Sequence, residues 1–118
     1  MTQEVLENLF TEVKDKIKNG SPNNSYSAFL ASLGLEKINQ KIIEEAKETA
    51  EAALEKNDRE VILESADLIY HLLVLLAYKN IEFNEILAEL QKRNAPENNL
   101  SAKAIAKNKK KLLDKNGK

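Results

Sequence analysis

Four carboxylates stand in two pairs one helical turn apart, Glu45 with Glu48 and Glu64 with Asp67, and the second pair interrupts the most apolar segment of a 118-residue chain. Residues 61–77 place apolar side chains on every side when wound at about 100° per residue, the pattern of a central helix. Glu64, Asp67 and His71 form the one polar stripe of that helix. An ionised carboxylate taken out of water without a partner costs on the order of several kcal/mol, so such a stripe requires a cation, a donor network or an aqueous cleft. The first pair sits on an amphipathic segment, residues 37–54, with an expected apolar face of Ile38, Ile42, Ala46, Thr49, Ala50 and Ala53. Lys41, Glu45 and Glu48 flank that face, while Glu44, Lys47 and Glu51 point further out. A short connection around Asn57-Asp58 predicts an antiparallel hairpin, in which the four acids converge. An all-oxygen ligand set of this kind suits Mg²⁺, with Mn²⁺ as a substitute, rather than zinc.

Chance weighs against the first pair more than the second. The chain is 31% charged, and acids at helical spacing commonly lace a solvated helix, so Glu45 and Glu48 alone carry little. Glu64 and Asp67 carry more, because acids are rarely buried unless paired or coordinating. A non-enzymatic helical interaction module, with all four acids solvated or salt-bridged, is the alternative that this pattern leaves open.

The elements that must position these groups are legible around them. Thr2 is placed to cap a first helix with the stripe Val5, Leu6, Leu9, Phe10, Val13 and Ile17, stopped at Asn19-Gly20. Gly20 to Asn24 is turn chemistry, after which Ser25 caps a short segment, Tyr26 to Leu33, ended by Gly34. Asn57 and Glu60 form a capping-box pattern at the start of the central helix, and Asn80 closes it before a further helix from about Asn84 to Arg93. No segment alternates like a strand. The expectation is an all-α fold of four main helices and a tail, with a helical domain over residues 1–94 and a basic, partly helical or disordered tail over 95–118.

Composition narrows the chemistry. The absence of cysteine rules out disulfides, thiolate zinc sites and thiol nucleophiles. The first residues lack a basic region followed by an apolar run, and the longest apolar stretch, Leu72 to Ala77, is far shorter than a membrane span, so a soluble, cytoplasmic protein is expected. Residues 97–118 hold seven lysines against Glu97 and Asp114, an excess of five that leaves −6 for the rest of a chain whose net charge is −1. This tail is either a solvated extension or an attractant for a polyanion. It contains no aromatic residue on which a base could stack, and no nucleic-acid partner is expected.

Ser25-Tyr26-Ser27, Gly34-Leu-Glu-Lys-Ile38, Lys41-Ile-Ile-Glu-Glu-Ala-Lys-Glu48 and Glu64-Ser-Ala-Asp-Leu-Ile-Tyr-His-Leu-Leu73 together resemble the phosphoribosyl-ATP pyrophosphohydrolases of histidine biosynthesis. The resemblance runs over about residues 4 to 93. The wider MazG-like group of all-α nucleotide pyrophosphohydrolases is similar only in its E-x-x-E and E-x-x-D elements, here Glu45, Glu48, Glu64 and Asp67. The closer resemblance implies hydrolysis of phosphoribosyl-ATP between its α- and β-phosphates, yielding pyrophosphate and phosphoribosyl-AMP, the second step of the pathway. It implies a MazG-like helical bundle completed by self-association into a homodimer or higher oligomer, and a separate cyclohydrolase for the next step.

Mg²⁺ held by Glu45, Glu48, Glu64 and Asp67 suits such chemistry, with Glu44 or Glu45 orienting or deprotonating the attacking water. Lys37 and Lys41 are candidates for phosphate contact, weighed equally against ordinary salt bridging such as Lys41 to Glu45. His71 is expected to support the site or the core rather than ligate metal. A housecleaning hydrolase of noncanonical nucleoside triphosphates is the alternative on the same acids. Ser27 replaces the threonine usual in the family's Ser-Tyr-Thr segment, and Asn94 to Lys118 has no secure family counterpart, though Ser101 to Lys107 loosely resembles the family's terminal segment.

Overall fold

The computed structural model describes residues 2–94 and 100–117, and every regular element among them is helical. In chain order these are α1 (Thr2–Asn19), α2 (Tyr26–Leu33), α3 (Leu35–Leu54), α4 (Asp58–Tyr78), α5 (Phe83–Arg93) and α6 (Leu100–Gly117). The all-α expectation holds, with α2 as the short segment before the acidic helix and α6 as the helical part of the tail. The side chain of Thr2, expected to cap α1, and residues 95–99 at the start of the tail lie outside the described residues.

Helix boundaries follow local chemistry. Ser25 is extended, with φ −144° and ψ 127°, and its hydroxyl accepts from Ala28 N–H at 3.2 Å, which caps α2. Gly34 links α2 to α3 at φ 99° and ψ 174°, a conformation essentially reserved for glycine. Gly20 is required for a different reason: a Cβ there would lie 2.6 Å from the Lys16 carbonyl oxygen that its own N–H bonds. Asn57 accepts from Glu60 N–H at 3.2 Å and caps α4, forming one half of the expected capping box.

Two helices end in the same way. Lys56 and Asn80 both have positive φ, 59° and 61°. At α3, Lys56 N–H bonds the Ala53 carbonyl and Asn57 N–H the Ala52 carbonyl; at α4, Asn80 N–H bonds Ala77 and Ile81 N–H bonds Leu76. These paired bonds satisfy the carbonyls a helix end leaves open.

Residues 1–83 form one compact unit and residues 84–118 a second, so the contact boundary precedes the composition shift at residue 95. In the first unit the core gathers Phe10, Val13, Leu30, Ile38, Leu73, Val74 and Ala77. Helix α4 packs along α3 and also meets α1 and α2. The three-residue connection between α3 and α4 makes these two an antiparallel hairpin. By length and composition α4 is apolar enough for a membrane-crossing helix, with a mean hydropathy of 1.7 over its most apolar 18-residue window, because few acids interrupt the apolar residues there. Lys14 reaches from α1 to Glu82 at 3.0 Å, an exposed pair worth at most about 1 kcal/mol.

The seam of the hairpin departs from expectation on α3. Ile38, Ile42, Glu45, Thr49 and Ala52 are buried or half-buried, whereas Ala46, Ala50 and Ala53 are exposed. The inward residues alternate by four and three, the spacing that keeps one seam facing an antiparallel partner. Glu45 therefore lies within the buried stripe rather than beside it.

Candidate active site

Helix α4 presents Val61, Glu64, Leu68, His71 and Leu75 as its own buried or half-buried seam, again alternating by three and four. Two seams of this kind bring one acid from each helix into the interface. Glu45 is 6% exposed, and Glu64 is half-buried. Glu48, one turn on from Glu45 and exposed, joins them: one carboxylate oxygen from each of Glu45, Glu48 and Glu64 lies within 4.8 Å of the other two.

Asp67 is not in this cluster. It is exposed on the flank of α4. At about 100° per residue Asp67 is rotated some 60° from the seam line through Glu64, Leu68, His71 and Leu75, which explains why the expected polar stripe splits. Its backbone does participate in the site's support. His71 Nδ1 lies 2.7 Å from the Asp67 carbonyl oxygen, and Nε2 lies 2.8 Å from the Tyr26 hydroxyl. A carbonyl only accepts, so Nδ1 carries the proton and donates, leaving Nε2 to accept from the phenol. Burial raises the Tyr26 pKa, which keeps that phenol protonated as the donor. Buried His71 thus ties α2 to α4 and is placed for support, in line with its expected role.

The electrostatics of the acid cluster are strained. Glu45 Oε1 and Glu64 Oε1 are both cut off from solvent and have no hydrogen-bond partner. As carboxylates neither can donate to the other. The Glu64 pKa is pushed up to about 7, chiefly because a protonated Glu64 can donate to Glu45, with burial and Glu48 adding to the shift. Lys41 lies 3.5 Å from Glu45 Oε2 but bonds Glu44 Oε1 more closely, at 2.7 Å. That bond raises the Lys41 pKa and lowers that of Glu44, so both remain charged at neutral pH. The salt bridge expected from Lys41 is therefore shared, with Glu44 the nearer partner.

Oxygens held this way fit a hard divalent ion. Metal–oxygen bonds of about 2.1 Å place neighbouring oxygens about 3.0 Å apart and opposite ones about 4.2 Å apart. Three oxygens within 4.8 Å need only a small side-chain adjustment to reach that spacing. The cluster also lacks nitrogen or sulfur donors, which excludes the preferred ligand sets of structural zinc.

Lys37 stands further from the acids, on the rim of a groove of about 340 Å³ between α2 and α3. Lys41 and Glu44 line the same groove at its other end. Sequence reasoning identified these charged residues but missed the α2 side of the groove, where Tyr26 and Phe29 belong. The available signal was the i, i+3 spacing of two aromatics on an eight-residue helix.

Over residues 6–94 the chain matches the phosphoribosyl-ATP pyrophosphohydrolase family. A phosphoribosyl-ATP pyrophosphatase of Pyrobaculum calidifontis is 43% identical over 93 residues, covering 79% of this chain and 98% of that protein. One from Novosphingobium aromaticivorans is 46% identical over 90 residues, covering 76% of this chain and 83% of that protein. The histidine biosynthesis bifunctional protein HisIE of Haemophilus influenzae is 49% identical over 82 residues, covering 70% of this chain but 37% of that longer relative. With its acid cluster inside the matched region, this chain belongs to the phosphoribosyl-ATP pyrophosphohydrolase family.

Proposed function

We propose that this chain hydrolyses phosphoribosyl-ATP between the α- and β-phosphates, releasing pyrophosphate and phosphoribosyl-AMP, with Mg²⁺ held by Glu45, Glu48 and Glu64. The observation that carries this reading is the pair of buried, unpartnered oxygens on Glu45 and Glu64. Like charges gathered in a helix interface are costly unless a cation joins them. When bound, the ion supplies positive charge against the triphosphate and acidity to the attacking water. Asp67, exposed on the flank of α4 one turn from Glu64, lies outside that cluster and would join the ligand set only by turning its carboxylate inward.

The remaining charged residues take separate roles. Lys41, kept cationic by Glu44, faces the phosphates. Glu44 is held ionised by Lys41, and its lowered pKa suits an acceptor that orients water rather than a strong base. Glu45 keeps one oxygen without a partner inside the cluster and is the acid placed to take the proton of the water.

The exposed apolar face of α4 supports self-association. Ile62, Ile69 and Leu72 are 61%, 44% and 41% exposed on the most apolar long helix of the first unit. A second copy covering this face makes a homodimer, or a larger closed oligomer. Light scattering should give at least twice the 13.3 kDa chain mass; a monomer at assay concentrations would overturn the assembly.

Pyrophosphate release from phosphoribosyl-ATP, beside ATP, dCTP and ITP, with Mg²⁺ and with a chelator, tests the reaction. Selective and metal-dependent release from phosphoribosyl-ATP is expected. Preference for another triphosphate would move the chain to a housecleaning role on the same acids. No hydrolysis by folded protein would favour a helical interaction module.

A further inference from the structure

We infer that the groove between α2 and α3 is the purine subsite, with Phe29 as its stacking wall and Lys37 as the contact for the phosphate of the substrate's second ribose. This assignment rests on the proposed hydrolysis for its substrate, but its residues and test are separate.

Helix α2 is short and interrupted only by Ser27 and Ser32 among otherwise apolar or aromatic residues, so it has two largely apolar faces. One, with Ala28 and Leu30, is buried against the core. The other carries Tyr26, Phe29 and Leu33 at i, i+3 and i+7, and these are 46%, 45% and 48% exposed. Single exposed apolar residues need no explanation, but these three line one groove together. Tyr26 is fixed there: its hydroxyl bonds His71 at 2.8 Å, and its ring stacks at a tilt on Tyr70 with centroids 6.1 Å apart. The Tyr26 end of the aromatic rim is therefore pre-organised.

The opposite wall comes from α3, where Lys37, Gln40, Lys41 and Glu44 follow one another at helical spacing. Apolar surface predominates in the groove, with polar groups confined largely to this wall. A flat heterocycle with polar edges matches that division, whereas a phosphate does not. A volume of about 340 Å³ lies at the low end for ligand sites and accommodates only part of a nucleotide carrying two ribose phosphates.

Charge sets the direction in which that part must lie. Lys41 lines the groove and also stands 3.5 Å from Glu45 of the acid cluster. The triphosphate therefore leaves the groove past Lys41 towards the acids. Lys37 lies one helical turn further from the acids, and its charge meets the other phosphate of the same substrate. The purine common to both sits between them, against Phe29.

The test combines steady-state kinetics on phosphoribosyl-ATP with calorimetric binding of phosphoribosyl-AMP to the metal-free protein. Phe29→Ala should weaken phosphoribosyl-AMP binding and raise KM about tenfold, within the range for truncating an aromatic beneath a base, with kcat changed less than about twofold. Phe29→Leu keeps the apolar bulk but loses the π face and should show part of the loss; Phe29→Tyr should restore wild-type values. Lys37→Ala should raise KM for phosphoribosyl-ATP and weaken calorimetric binding of phosphoribosyl-AMP, but leave binding of AMP, which lacks the second ribose phosphate, unchanged.

Unchanged binding and KM in Phe29→Ala would overturn the subsite. So would a fall in oligomer mass with unchanged phosphoribosyl-AMP affinity, which would assign Phe29 to a subunit contact. Wild-type protein that binds phosphoribosyl-AMP through Phe29 yet hydrolyses no phosphoribosyl-ATP would support the subsite and sink the proposed reaction alone. Turnover with Phe29-independent binding would do the reverse.

Discussion

Glu64→Gln is expected to lower kcat for phosphoribosyl-ATP by more than about a hundredfold while leaving the metal-free protein at least as stable as wild type at pH 7. The first half follows from the donor set. Losing a partner one step removed from a metal ligand already costs 10–100-fold in affinity or activity, so losing a charged ligand should cost more. The second half follows from the buried oxygens. Wild-type Glu64 Oε1 is without a partner beside Glu45 and Glu48. A glutamine of the same shape removes the like charge and supplies an N–H that either neighbour can accept. Activity loss with an unchanged or higher Tm separates a ligand from a structural acid, since a structural acid would lose stability when changed. Wild-type turnover in Glu64→Gln, measured by pyrophosphate release, would overturn the metal assignment; a markedly lower Tm would overturn the account of the repulsion.

Much of the fold was legible because its signals are local. Ser25 and Gly34 bound α2 where the residues indicated, and Asn80 closes α4 with a positive φ. Each of these depends on a backbone conformation that few residue types supply. The inward face of α3 was harder to read. Its alanines occupy several sides, so hydrophobicity alone does not distinguish Ala46, Ala50 and Ala53 from Ala52, and an acid such as Glu45 counts as a surface residue until its partner helix is known. Only the pairing with α4 resolves it.

The site was legible in its acids and less so in its supports. Glu45, Glu48 and Glu64 come together, whereas Asp67 falls to the flank because the hairpin seam selects Leu68 and His71. Helical spacing identifies the residues on one side of a helix, but not the line along which a neighbour will contact it. The Tyr26–His71 bond joins residues 45 positions apart and has no periodic signature. The partner of Lys41 depended on side-chain reach: Glu44 and Glu45 were both available at helical spacing, and Glu44 lies nearer.

A divalent ion should stabilise the metal-free protein most at neutral and alkaline pH, and its binding should release protons near neutrality. Without metal, the Glu64 pKa is raised from the ordinary value of 4.5 to about 7. Between those values Glu64 holds more protons in the folded state than in the unfolded state, so its contribution to stability falls as pH rises through this window. The contribution from a protonated Glu64 is complete below the unfolded pKa and lost above the folded one. An ion bound by the three acids competes with that proton and reverses the penalty of their mutual repulsion. Thermal melts at pH 5 and pH 8, with Mg²⁺ or Mn²⁺ and with chelator, should therefore show a small metal-induced rise at pH 5 and a larger one at pH 8. Glu64→Gln should flatten the Glu64-dependent fall in metal-free stability and reduce the metal-induced rise. A chelator should remove the stabilisation and the pyrophosphate release together, because the same carboxylates account for both. Equal metal-induced shifts in wild type and Glu64→Gln at both pH values would place the stabilising ion elsewhere. Turnover that persists after complete metal removal would overturn the role assigned to the ion.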